Sequence, residues 1–344
     1  MAHPRDGRYG IVKPILISAS RATDLPAHWA DWFMRRLEAG YVKWVSPFNR
    51  QAQYVSFERT RVFVFWSKNP RPLMEFLPEL DNKGFHYYFT YTLNDYEAEG
   101  LEPGLPPLVE RIETFQMLSE MIGREKVIWR FDPLILLNGL DTDGLLQKIE
   151  RVGEQIHEFT EKLVISFADI SVYAKVQRNL RSKHLEYLEF DEERMREVAS
   201  GLQRINARWG LKIATCAESV KLSEFGIVRN SCIDGELMAK LFPEDAELMS
   251  FLGLQPTLFD ALPESQKGEL NRRLKDKGQR RECGCILAKD IGQYNTCPHG
   301  CVYCYANASH GLALRNWEQG RLDSESMIPD RESEEWQVTT RCRA

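Results

Sequence analysis

At 344 residues the chain is long enough for one large α/β domain or two smaller ones, and 43% hydrophobic with 28% charged residues supports a sizeable core. A formal net charge of −5 gives no general attraction to nucleic acid or to anionic membranes, so any nucleic-acid contact must rest on a local patch. No apolar run reaches the length of a membrane span, and MAHPRDGRYG lacks the apolar centre of a secretory signal, so the expected location is cytoplasmic with no membrane partner.

Short β-branched and aromatic runs alternate with longer amphipathic stretches. ILISAS (15–20) leads into the helical pattern WADWFMRRLEAG. YVKWVSPFNRQAQYVSFE then reads as two strands about the turn SPFNRQ, a hairpin inserted over 41–58. VFVFWS (62–67) and YYFTYTL (87–93) follow, then the helical LVERIETFQMLSEMIG, VIWRFDPLI (127–135), LVISFADI (163–170), the helical ERMREVASGLQRINARWG, and LKIATCAE (211–218). Gly40, Gly123 and Gly210 mark helix ends. This alternation implies right-handed βαβ units and a parallel sheet. Six such runs before residue 220 favour an α/β fold built as a full or partial (β/α) TIM-type barrel over 12–220, although periodicity alone also allows an open sheet. Residues 221–285 form a cysteine-containing segment, helical and increasingly charged from about 240 to 281. Residues 317–344 are expected to form a poorly ordered polar tail.

Eight cysteines in a reducing compartment point to metal before disulfides. CPHGCVYC places Cys297, Cys301 and Cys304 on one short loop. A structural zinc ion wants four ligands, and His299, held between Pro298 and Gly300, is poorly placed to be the fourth. Three thiolates suit a 4Fe–4S cluster with one iron left open. Gly300 lets the backbone wrap a bulky cluster, and Tyr303 offers an aromatic face beside the open iron. A second set, Cys216, Cys232, Cys283 and Cys285, has enough thiols for a structural zinc or an auxiliary 4Fe–4S cluster; otherwise Cys216 is a small buried hydrophobe. Cys342 stands apart as a free thiol in the tail.

The segment YNTCPHGCVYCYAN resembles the cluster loop of the radical S-adenosylmethionine (SAM) superfamily, in particular that of spore photoproduct lyase and its DNA-repair-photolyase-like relatives. SKNP (67–70), YTLNDYEAEGLEPGLPPLVERIETFQMLSEMIG, VIWRFDPLI and SASRATDLPAHW resemble further strands and turns of those proteins, so the likeness covers most of 12–170 and 286–316. In those relatives the cluster loop follows the first strand. The resemblance therefore implies a circularly permuted barrel in which 286–316 supplies the first βα unit. The arrangement is also similar to a widespread uncharacterised family, known only as a domain of unknown function, with an ILSASRRTD-type opening strand and a closing YNTC-x2-GC-x-YCYA loop.

The resemblance implies a 4Fe–4S cluster on Cys297, Cys301 and Cys304, SAM on its open iron, and reductive cleavage of SAM fed by a flavodoxin- or ferredoxin-type donor. Hydrogen abstraction from an unknown substrate would follow, with a nucleic-acid lesion or nucleoside suggested by analogy alone. The glycine–glycine–glutamate turn that binds the SAM amine in the superfamily is absent. Ser20, Thr23 and Asp24 stand in its place beside Arg21, and Arg130 is a candidate partner for the SAM carboxylate. Lys68, Thr92, Asn94, Asp132, Ser166 and Asp169 occupy equivalent strand ends, where a salt bridge or cap explains them equally well. The basic run Arg272, Arg273, Lys275, Lys277, Arg280 and Arg281 could meet phosphates or form a solvated helix face. The competing reading is a non-catalytic zinc protein whose cysteines are all structural.

Overall fold

The computed structural model describes residues 10–254 and 270–328. Its β-branched and aromatic runs assemble into one eight-stranded sheet, with strands numbered in chain order: β1 (Leu16–Ala19), β2 (Val62–Ser67), β3 (His86–Thr92), β4 (Val127–Leu134), β5 (Lys162–Phe167), β6 (Lys212–Thr215), β7 (Val228–Arg229) and β8 (Lys289–Asp290). Every neighbouring pair is parallel, and the order across the sheet is β7-β6-β5-β4-β3-β2-β1-β8. The sheet thus follows the chain except at one edge, where the last strand lies beside the first, Lys289 opposite Ile17 and Asp290 opposite Ser18.

Strands buried on both faces read as continuous apolar runs rather than clean alternations, and here each face has its own core. Phe63, Phe65, Phe89, Trp129, Phe131 and Ile165 belong to the larger core, with residues of the helices Ala30–Ala39, Leu108–Ile122, Thr142–Ile156 and Glu192–Trp209. Asp141 and Asp191 cap the last two helices by accepting from the amides of Gly144 and Arg194. Gly40, Gly123 and Gly210 end their helices at positive φ, where a side chain would strain the backbone. The other face presents Leu16, Val62, Val64, Tyr88, Ile128 and Val164 to Met238, Phe242, Leu248, Leu252, Leu270 and Ile286. The described parts of the connection between β7 and β8 therefore pack against the sheet instead of hanging from its edge.

Tyr41–Val45 and Ala52–Ser56 pair antiparallel, with Gly10–Val12 added in parallel to the second of them. Trp44 ties this hairpin to β8: Lys289 Nζ stands 3.4 Å from its ring centre, and its indole N–H donates to the Gly292 carbonyl at 3.0 Å.

Two segments differ from the sequence expectation. The chain does not become a loose tail at 317. Helix His310–Glu318 runs past that point, Trp32 donates its indole N–H to the Ser324 carbonyl, Tyr54 donates to Glu325, and Met327 is fully buried. Average polarity misled because one methionine and a few carbonyls suffice to dock a short segment. Residues 329–344, with Cys342, lie outside the described residues. Nor does the basic run form a single helix face. Helix is assigned only at 270–273 in this region, Lys275 bridges to Ile286, and Arg280 pairs with Tyr173 and Asp169. Among the described residues no helix is long and apolar enough to cross a membrane.

Candidate metal centre

In a parallel sheet all the carboxyl ends of the strands lie along one edge, and the three-cysteine loop leaves from there after β8. The Asp290 carboxylate fixes its start by accepting from Ser18 Oγ (2.7 Å) and the Arg21 amide (2.9 Å). Gly292 passes so close to β1 that a Cβ would fall 1.9 Å from Ser20 Oγ. From there, contacts from distant parts of the chain hold the loop backbone. Trp29 donates to the Thr296 carbonyl, the Gly104 amide to that of His299, and Asn307 to that of Cys297. The Val302 amide donates to Leu101, while Lys175 and Asn179 donate to the carbonyls of Cys304 and Val302. Gly300 takes φ +69°, a conformation that a side chain would strain, and the three cysteines around it are partly exposed.

Beneath the loop lies a buried acid–imidazole relay. Asp24 accepts from Ser67 Oγ, the Lys68 amide and the Ala27 amide, and its Oδ2 stands 2.8 Å from His299 Nε2. Burial raises the Asp24 pKa, but the hydrogen bond and charge of His299 outweigh it and hold the carboxyl below its ordinary value. His299 Nδ1 is 3.1 Å from His28 Nε2, and burial with the His299 charge pushes the His28 imidazole down to about 4. The ligand atoms of His28, Cys297 and His299 all lie within 4.8 Å of one another, so this group could hold a metal ion. A carboxylate on the far nitrogen of a ligating histidine is a common way to fix its tautomer. His28 was not singled out from the sequence. The available signal was its position four residues after Asp24, one helical turn past the cap in TDLPAH.

Tyr303 was expected to present its ring to a cofactor. Its hydroxyl is anchored among charges, donating to Glu102 and lying 2.8 Å from Lys68 Nζ and 3.1 Å from Asn94 Nδ2. Glu102 is buried against Lys68 (2.6 Å) and Arg111 (3.6 Å), and these cations outweigh burial and hold its carboxyl below its ordinary value. Glu102 also escaped sequence reasoning as a site residue, although it belongs to the glutamate–proline–glycine turn whose Gly104 grips His299.

Of the residues expected to meet SAM, Asp24 has its oxygens occupied as described. Ser20 Oγ accepts from the Ala22 amide, and Thr23 Oγ1 is buried without a partner. Arg130 lies against Asp132 and places Nη1 2.8 Å from Cys232 Sγ, so it belongs with the second cysteine set. Cys301, Cys304 and Asn307 line a cleft of about 180 Å³ with Lys175, Asn179 and His310, and Asn307 Oδ1 is buried without a partner.

A family profile described as "Domain of unknown function (DUF1848)" matches residues 16–306, from the first residue of β1 to just past Cys304. The chain belongs to the DUF1848 family. No curated protein matches it. Among solved structures the DUF1848 chain is similar to a putative α-L-fucosidase from Bacteroides thetaiotaomicron, at 12% identity and a TM-score of 0.31, covering 93% of this chain and 95% of that one. A likeness that low carries no argument about fold or activity.

Proposed function

We propose that this DUF1848 protein is a radical SAM enzyme in which Cys297, Cys301 and Cys304 hold a 4Fe–4S cluster whose open iron takes SAM. The observation that carries this reading is a three-thiol loop docked, through β8, beside β1 at the carboxyl edge of a parallel sheet. The strand order supports a permuted, full or partial (β/α) barrel whose first unit comes last in the chain. When bound, the cluster and SAM supply one-electron cleavage of the sulfonium and so hydrogen abstraction from an organic substrate, with the electron drawn from a flavodoxin- or ferredoxin-type donor.

The protein's own groups fit that use. Asn307 Oδ1, an orphan acceptor beside Cys301 and Cys304, suits a ligand ammonium, and the Thr23 hydroxyl is an orphan of either polarity. Thr23 stays among the assigned SAM contacts and Asn307 joins it, while Asp24 and Arg130 leave because His299 and Cys232 already engage them. Asp24 and Glu102 act instead as positioning residues, holding His299 and Tyr303 and with them the loop backbone.

The His28–Cys297–His299 cluster favours one second reading, a single zinc-type ion at that corner. Anaerobic reconstitution with iron and sulfide, followed by dithionite-driven turnover of SAM, separates the two. The radical SAM reading expects 5′-deoxyadenosine, together with the iron and sulfide of this loop, to be lost in Cys301→Ala and retained in His28→Ala. A colourless protein that forms no 5′-deoxyadenosine, and whose zinc falls by one equivalent in His28→Ala but not in Cys301→Ala, would establish the second reading and overturn the first.

A further inference from the structure

The second cysteine set lies on the seam between the two edge strands. Cys216 follows β6 and Cys232 follows β7, while Cys283 and Cys285 precede β8 on the opposite edge. β7 and β8 are not paired with each other, yet the segments carrying these cysteines are drawn together. The Ile286 amide donates to the Ile233 carbonyl at 3.1 Å, and Ser231 Oγ donates to the Gly284 carbonyl at 2.8 Å. Gly284 has no room for a side chain, since a Cβ would stand 2.5 Å from Ser231 Oγ and 2.8 Å from the Asn230 carbonyl oxygen.

Two of the sulfurs meet directly, and a third lies against the backbone of the second. Cys216 Sγ is 3.8 Å from Cys232 Sγ, and the amides of Cys232 and Ile233 both point at Cys285 Sγ, at 3.2 and 3.4 Å. Cys232 Sγ receives Arg130 Nη1 at 2.8 Å and Asn230 Nδ2 at 3.0 Å. Cys232, Cys283 and Cys285 are all buried. A neutral thiol is a weak acceptor, so this many buried donors, one of them a guanidinium, are satisfied far better by thiolate sulfur. Thiolates packed this closely repel one another unless a cation lies among them. A tetrahedral ion about 2.3 Å from each sulfur would hold its thiolates about 3.8 Å apart, the spacing of the Cys216–Cys232 pair.

We propose that Cys216, Cys232, Cys283 and Cys285 form a four-thiolate centre for a thiophilic metal, which staples the β7 edge of the sheet to the β8 edge where backbone pairing is missing. On binding, each thiol gives up its proton to solvent and each sulfur donates a lone pair to the metal; no electron is transferred. Four thiolates around a centre of charge +2 leave two negative charges, and Arg130 and Arg21 stand nearby to offset them. Zn²⁺ and a 4Fe–4S core share this chemistry.

The test is run on full-length protein carrying Cys297→Ala, Cys301→Ala and Cys304→Ala together, so that its outcome does not depend on the first site. After isolation and anaerobic reconstitution, this variant should retain either one equivalent of zinc without sulfide or iron with matching acid-labile sulfide. Adding Cys283→Ser and Cys285→Ser should abolish both. Cobalt(II) added to the metal-free triple variant should give intense thiolate-to-cobalt absorption that is lost when Cys216→Ser, the least buried position, is added. A folded triple variant that binds neither zinc nor iron, or one whose metal survives the serine replacements, overturns the proposal. If folding fails, the metal content of Cys216→Ser in the otherwise native chain decides: an undiminished content refutes the centre.

Discussion

Gly104→Ala would put a methyl carbon 2.4 Å from the His299 carbonyl oxygen, 2.8 Å from its carbonyl carbon and 2.9 Å from its Cα. All three are backbone atoms, so no rotamer change can yield. Restoring a 3.4 Å contact requires the two turns to separate by about 1 Å. The 2.9 Å hydrogen bond from the Gly104 amide to the same carbonyl would stretch with them. Overpacking costs about 1–3 kcal/mol and a lost hydrogen bond about 0.5–1.5 kcal/mol. Because Pro103 and Gly104 are exposed, the turn can move outward, and we expect about 1–2 kcal/mol by urea denaturation. The effect on activity should exceed the effect on stability. A displacement near 1 Å at a reacting centre costs about 10²-fold in rate, so 5′-deoxyadenosine formation should fall by about that factor while Pro103→Ala stays near wild type. Wild-type activity and iron content in Gly104→Ala would refute the idea that this turn clamps the cysteine loop.

Glu102→Gln leaves Lys68 and Arg111 buried beside a neutral amide and should destabilise the fold by about 3–5 kcal/mol, read as a lower urea midpoint at neutral pH. The Glu102 carboxyl is held below its ordinary value of 4.5 in the folded state, so its contribution is complete above that pH and is lost as the pH falls below it. The variant should lack this part of the acid limb. Asn307→Ala should weaken SAM binding about tenfold, the equivalent of about 1.4 kcal/mol, with iron content preserved. Unchanged SAM affinity by calorimetry would remove Asn307 from the site.

The parts legible in the sequence were those set by local pattern. VFVFWS and YYFTYTL announce strands because both of their faces are buried, and CPHGCVYC stands out as a cysteine loop because its spacing is local. His28 and Glu102 were not legible as site residues because their roles depend on partners far along the chain, His299 at a separation of 271 residues and Tyr303 at 201. Arg130 and Asp24 were visible as polar strand-end residues, but only three-dimensional pairing reveals that Cys232 and His299 already engage them. The polar composition after Asn316 hid a docking segment whose apolar anchor is one buried methionine.

Placing β8 beside β1 also fixes an order of events during synthesis. β1 is among the first strands to emerge, yet its partner comes some 272 residues later, as the Ser18–Asp290 bond records. Until then one edge of β1 presents unpaired backbone groups, the situation that invites wrong pairing or a holding chaperone. The thiols of the loop emerge later still, after every strand of the sheet. On the proposed function, loading of the loop closes maturation, and a chain truncated before residue 286 would carry seven strands of the sheet, an open edge and no cysteine loop.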